Sequence, residues 1–199
     1  MVKLFSNKEL SGSFGINPAR WKRWSREFLP PDPLAGLQSG YARQYYLNDA
    51  FTVYLGGHLV ASLRMAIPEA RRVISDLEAW FRENGYRFEP DGRRSGDALT
   101  VSSGIRHTIT AYPTGDGGFV YRFKGLIHAN WDTEDGCRVR REVFTETWLS
   151  PNGSGAPELE SPRTIALTEI LEKFLSAVDP QAQLFPQLRR DGEEKLLTE

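Results

Sequence analysis

The sequence predicts an α+β protein in which helices come first and an antiparallel sheet follows. Apolar residues recur with a period of about 3.6 up to residue 84 and with a period of about 2 beyond Gly85, as helices and strands require. The chain has 199 residues, 25 of them basic and 26 acidic, and 40% are hydrophobic. This composition excludes disordered and histone-like proteins and is typical of a folded, globular chain.

The length allows one large domain or two small ones at roughly 100 to 150 residues per domain. The change of period favours two. We expect a helical domain over residues 1–84, a β-rich domain over residues 85–180 and a flexible acidic tail over residues 181–199.

The first two helices are predicted from their capping residues. Ser6 followed by Glu9 has the spacing of a capping box, which begins a short first helix. Gly15 ends that helix, and Asn17-Pro18 supplies a cap and a first-turn proline for a second helix that runs to about residue 28. The sequence therefore predicts helix, tight turn, helix over residues 6–28.

In the rest of the helical domain, glycine and proline residues mark the predicted breaks between segments. Three segments follow: a loop with a small β-hairpin over residues 29–46, a helix from Asn48 to about Leu63, and a last helix from Pro68 to Asn84. Gly56 and Gly57 interrupt the middle helix, and we expect them to permit close packing. Gly85 stops the last helix.

Alternating apolar residues predict the sheet. Three runs begin near Ile105, Phe119 and Val139 and predict an antiparallel meander of three to five strands, with Phe88 and residues 99–101 as candidates for additional strands. A linker over residues 150–162 then leads to an amphipathic helix over residues 164–178, which we expect to cap the sheet.

The start of the chain is basic, with seven Lys or Arg against three Asp or Glu in residues 1–47. On a helical wheel, the second helix has an aromatic side made of Trp21, Trp24 and Phe28, and an opposite basic side made of Lys22, Arg23 and Arg26, flanked by Arg20. A short helix held by aromatic residues and presenting cations suits the major groove of DNA. The alternative is an ordinary solvated face of a surface helix.

Residues 1–84 resemble the MerR-type winged helix-turn-helix DNA-binding family. The matching segments are Ser6–Leu10, Phe14–Pro18, Trp24–Pro31, Ser39–Tyr41 with Arg43, and Ile67–Arg72. The resemblance implies an N-terminal winged helix-turn-helix domain whose second helix reads the major groove and whose hairpin wing reaches the flanking backbone.

The resemblance also implies roles for individual residues. The DNA-facing residues of the second helix are Arg20, Lys22, Arg23 and Arg26. Arg43 corresponds to a phosphate-contacting residue of the wing, with Tyr41 beside it against sugar and backbone, and Arg64 is a further phosphate candidate. The wing reads Gly-Tyr-Ala-Arg where the family usually has Gly-Tyr-Arg, and a β-rich segment replaces the family's long dimerisation helix and cysteine-containing loop.

Other chemistries have little support in the sequence. We find no glycine-rich phosphate loop, nucleophile elbow or paired carboxylates, so no enzyme is predicted. A single cysteine, Cys137, and three scattered histidines indicate neither a metal site nor a cofactor, and His107 is expected to be a packed histidine. No apolar run reaches the length of a membrane span or a signal peptide, so we expect a cytoplasmic protein.

These observations predict a sequence-specific transcriptional regulator that binds double-stranded DNA as a homodimer. The β-rich domain is expected to mediate dimerisation or to sense a small-molecule or protein effector. Its candidate residues for such a pocket or interface are Arg122, Lys124, Arg138 and Arg140, with Trp131 and Trp148. An architectural or excisionase-like DNA-binding protein and a protein-interaction adaptor are the alternatives.

Overall fold

The computed structural model describes residues 4–32, 42–89, 105–132, 138–151, 157 and 161–178. In these ranges the chain forms six helices and two antiparallel sheets, which confirms the mixed α+β class. Two compact units are present, the first made of Met1–Gly96 with Lys173–Pro180, and the second of Asp97–Glu172 with Gln181–Glu199. The predicted division at residue 84 stays a prediction.

The first unit contains β1 (Phe5–Ser6), α1 (Asn7–Ser13), α2 (Pro18–Phe28), β2 (Gln44–Tyr45), α3 (Leu47–Ala61), α4 (Ile67–Asp76) and α5 (Glu78–Glu83). The second contains β3 (Arg106–Pro113), β4 (Phe119–Asp132), β5 (Arg138–Leu149) and β6 (Arg163–Ile165). The last helix, α6 (Leu167–Val178), is assigned to the second unit up to Glu172 and to the first unit from Lys173.

The predicted caps of α1 and α2 are confirmed. The Ser6 hydroxyl accepts a hydrogen bond from the Glu9 N–H at 3.2 Å, and the Glu9 carboxylate accepts one from the Ser6 N–H at 2.7 Å. Asn17 Oδ1 accepts from the Ala19 N–H at 2.9 Å. Between the two helices Gly15 has a φ of +61°, a left-handed conformation that glycine adopts without strain. Local capping chemistry therefore determines where both helices begin.

Gly56 and Gly57 bring α3 against α2. The helix runs through both residues without interruption. A Cβ atom at Gly57 would overlap the ring of Trp24, and a Cβ atom at Gly56 would overlap the ring of Phe28. The expected close packing is thus confirmed, and it occurs against the two aromatic residues of α2.

The prediction of one continuous helix from Pro68 to Asn84 is wrong, because two helices cover this segment. The chain bends at Leu77, which has φ −93° and ψ 0° and separates α4 from α5. Leu77 and Phe81 are both buried, with relative exposures of 0% and 1%. Spacing along the sequence predicts which side chains face the core, but a bend at a buried residue leaves that spacing almost unchanged.

Strand β2 pairs with β1 at the start of the chain, with Phe5 opposite Tyr45. This is a long-range pairing, whereas the sequence suggested a hairpin within residues 29–46. Residues 33–41 of that segment lie outside the described residues. Alternation of side chains identifies a strand but carries no information about its partner.

The second unit contains the predicted antiparallel meander, extended by one strand. The order is β5-β4-β3-β6, and every pair is antiparallel. A tight turn joins β3 to β4, in which the Asp116 carboxylate accepts from the Gly118 N–H at 3.1 Å. Residues 99–101, an expected additional strand, lie outside the described residues.

The predicted start of the last helix at residue 164 is wrong by three residues. Arg163–Ile165 instead form β6, and Ile165 lies opposite Ile109 on β3. The free edge of β3 supplies hydrogen-bond partners that the local sequence does not reveal, and β-branched Thr164 and Ile165 suit a strand. The start of α6 then contacts β3, since Thr168 Oγ1 accepts from the His107 N–H at 2.8 Å.

Gly57→Ala should destabilise the protein, because the added methyl group collides with the Trp24 ring. Overpacking costs about 1–3 kcal/mol, which exceeds the gain in helix propensity. Gly12→Ala in α1 is the matched control: a Cβ atom there meets nothing within 4 Å, so stability should rise by up to about 1 kcal/mol. Urea unfolding measures both changes, and equal stability of the two variants would contradict the packing of α2 on α3.

Stability should fall in acid through His107. Burial lowers the pKa of this side chain to about 4, from about 6.5 in an unfolded chain. As the pH falls from about 6.5 to about 4, the unfolded chain takes up a proton that the folded chain does not, which costs about 3 kcal/mol in total. His107→Gln should lose this part of the pH dependence in urea unfolding at pH 7 and pH 4.5. If the free energy of unfolding falls by the same amount between pH 7 and pH 4.5 in the variant and the wild type, His107 is not the group responsible.

Candidate nucleic-acid interface

Helix α2 has a buried aromatic side and an exposed basic side, as the helical wheel predicts. Trp21 and Trp24 have relative exposures of 0% and 8%. The basic residues Arg20, Lys22, Arg23 and Arg26 are all exposed. The four cations therefore project from one helix of 11 residues.

Ring packing holds α2 in place from its buried side. The Trp21 ring stacks on Phe14 with centroids 5.5 Å apart and meets Tyr45 edge-on at 6.2 Å. The Tyr45 hydroxyl donates to Ser25 Oγ at 3.1 Å in the core. The turn before α2 and strand β2 thus contact the same face of the helix, and its orientation is set by buried groups.

The one acidic residue of α2, Glu27, forms an ion pair with a residue of α4. Arg71 Nη2 lies 2.6 Å from Glu27 Oε2, and Arg71 Nε donates to the Glu27 carbonyl oxygen at 2.5 Å. Within the described ranges, the four basic residues of α2 form no ion pair. The negative charge of α2 is therefore compensated by an arginine of α4.

Arg43 contacts α2 indirectly, through the ring of Tyr45. It is half-buried, and its guanidinium lies 5.8 Å from the centre of the Tyr45 ring. Because Tyr45 itself contacts Trp21 and Ser25, Arg43 is one side chain away from α2. Tyr45 contacts the buried side of α2, opposite the exposed cations, so Arg43 is linked to the helix through its aromatic side.

Of the other two predicted residues, the structure describes Arg64 alone. Arg64 is exposed in the turn between α3 and α4, where it has a left-handed φ of +56°. The neighbouring Met65 N–H donates to the Leu59 carbonyl at 3.1 Å, so the turn is tied to the end of α3. Tyr41 lies outside the described residues.

Sequence reasoning missed the residues that position α2. Arg71 lies 44 residues from Glu27, and Tyr45 lies 20 residues from Ser25, so no local spacing connects either pair. A buried Ser25 on the aromatic side of the helix is the one local signal, because a buried hydroxyl needs a hydrogen-bond partner.

The described residues contain no group of three or more His, Cys, Asp or Glu side chains arranged to hold a metal ion. None of the described helices is long and apolar enough to cross a membrane. No family model, curated protein or solved structure matches the chain.

Trp24→Ala should destabilise the first unit by about 3–5 kcal/mol, because it leaves a cavity where α2 meets Gly57 of α3. Arg26→Ala is the matched control on the opposite side of the same helix, and its effect should stay within about 0.5 kcal/mol. Thermal unfolding followed by circular dichroism compares the two. A wild-type melting temperature for Trp24→Ala would contradict the inward position of the ring.

Proposed function

We propose that this chain is a sequence-specific regulator of transcription that binds double-stranded DNA through α2. One observation carries the proposal: α2 presents four exposed cations, free of ion pairs within the described ranges, opposite a side fixed by buried tryptophans. A helix about 10–12 Å wide fits the major groove, which is about 12 Å wide. The resemblance of residues 1–84 to MerR-type winged helix-turn-helix domains supports the same assignment.

In this proposal the residues of α2 contact both bases and phosphates. Arginine and lysine donate to guanine O6 and N7 or to phosphate oxygens, and the residues concerned are Arg20, Lys22, Arg23 and Arg26. Arg43 contacts a phosphate next to the helix, with Tyr41 on the adjoining sugar-phosphate backbone. Arg64 contacts a phosphate farther along the site.

The proposed regulator acts in the cytoplasm as a homodimer and is not an enzyme. Two copies double the base contacts and read a pseudo-palindromic site. The second unit is proposed to bring the copies together or to sense an effector. An architectural or excisionase-like protein would bind DNA without a defined half-site, and an adaptor would not bind DNA.

Selection from a random pool of double-stranded DNA with the full-length protein at moderate salt tests the proposal. An enriched inverted repeat is the expected result. Salt-dependent binding without an enriched sequence would replace the regulator with the architectural protein. No affinity for DNA at low salt, with the protein folded, would leave the adaptor.

The double variant Lys22→Ala, Arg23→Ala should weaken binding to the selected site by roughly 1–3 kcal/mol for each base-reading side chain removed, with the fold intact. Arg72→Ala with Arg82→Ala is the matched control, since it removes the same charge from exposed positions of α4 and α5. Fluorescence anisotropy titration measures both affinities. Equally weakened binding in the two variants would mean that general charge, and not α2, attracts the DNA.

A further inference from the structure

Strand β5 is one of the two edge strands of the four-stranded sheet, as far as the described residues show. It is 12 residues long, and among the described residues its strand partner is β4 on one side. The N–H and C=O groups that alternate toward its other side are thus presented for a further strand. Proteins usually protect such edges with charges, prolines, bulges or short length, because exposed edges pair with other chains.

The last part of β5 carries apolar side chains in place of that protection. Of the five exposed large apolar residues in the described part of the chain, three lie here: Val143, Phe144 and Trp148, with relative exposures of 41%, 67% and 52%. All six residues from position 143 to position 148 are exposed on one or the other face of the strand, although the Trp148 ring also stacks on Tyr112 with centroids 5.6 Å apart. This stretch contains one charged residue, Glu146, and no proline.

We propose that β5 pairs antiparallel with β5 of a second copy of this chain, so that two four-stranded sheets form one continuous sheet. A strand edge is self-complementary under a twofold axis perpendicular to the sheet, because the axis reverses the strand and keeps each face on its own side. The pairing uses the second unit alone. The strand pairing therefore does not depend on DNA binding. It would supply the interface of the proposed homodimer.

Charge selects the register of this pairing. With Val143 on the twofold axis, position 140, an arginine, lies opposite Glu146 of the second copy, and the symmetry makes this pair twice. Position 138, also an arginine, then lies opposite Trp148 of the second copy, at the distance of directly paired residues. Glu146 is exposed and 3.7 Å from Lys124 Nζ of its own chain, so it has room for a second cation.

The neighbouring registers are less favourable. With Phe144 on the axis, position 142, a glutamate, faces Glu146 of the second copy. With position 142 or position 146 on the axis, that glutamate faces the same glutamate of the second copy. Directly opposed like charges destabilise a pair of strands. With Thr145 on the axis no opposite charges meet.

The exposed apolar side chains supply, as an upper limit, part of the area that an interface needs. Complete burial of an aromatic side chain covers roughly 150–250 Å². At the exposures given above, Val143, Phe144 and Trp148 together offer about 300 Å² per copy, or about 600 Å² for two copies. A specific interface needs about 1,000 Å² in total. The backbone of the paired strands and the exposed Thr145 and Thr147 contribute to the difference.

Sedimentation equilibrium of the full-length protein without DNA tests the pairing. We expect a dimer for the wild type. Arg140→Glu and Glu146→Arg should each raise the dimer Kd by about tenfold or more, because like charges then face each other twice. The double variant with both changes should recover the wild-type Kd to within about threefold. Circular dichroism checks that each variant is folded.

Several outcomes would overturn the proposal: a wild-type monomer at about 100 µM, unchanged dimerisation in the single variants, or failure of the double variant to recover. Hydrogen exchange on the wild-type chain gives a readout that needs no variant. Within residues 143–148, the amides that point away from β4 should become more protected as the protein concentration rises, and protection independent of concentration would exclude the pairing. A dimer without DNA affinity would refute the DNA proposal alone, and DNA binding by a monomer would refute the strand pairing alone.

Discussion

The contact of the α2 aromatic residues with two glycines of α3 is the constraint on which the first unit depends. Trp24 lies over Gly57 and Phe28 over Gly56, at positions where any side chain would overlap the rings. Since the rings occupy the space of the missing side chains, α2 cannot rotate about its axis without disrupting this packing. The same rotation would move its basic residues, so the packing of the core determines which side of the helix is exposed.

Two further interactions act on this helix from other elements of the first unit. Tyr45 contacts Trp21 and Ser25 from strand β2, and it also lies under the guanidinium of Arg43. Arg71 neutralises Glu27 from α4. An exposed ion pair contributes little to stability. Its importance here is electrostatic, because it removes a negative charge from a helix that otherwise presents four cations.

In the second unit, the strands differ in how far their apolar side chains are buried. The apolar residues of β3 and β4 are buried, among them Ile109, Tyr121 and Phe123. β5 pairs with β4 through its backbone but leaves Phe144 and Trp148 exposed. At the centre of the sheet the strands have both a paired backbone and buried side chains. At the β5 edge the backbone is paired with β4 while these side chains stay exposed. This exposed edge is the observation behind the proposed pairing with a second copy.

The sequence by itself determined the features that arise from neighbouring residues: the caps of α1 and α2, the stop at Gly85, the two sides of α2 and the alternating strands. These depend on spacings of two to four residues and are therefore present in the local pattern. The tertiary structure alone decided the pairing of β1 with β2, the bend at Leu77, the addition of β6 to β3 and the capture of Glu27 by Arg71. Each of these features, including the bend, depends on groups that packing brings together. Their physical reason is the need to bury side chains and satisfy hydrogen bonds across the fold, which no short spacing records.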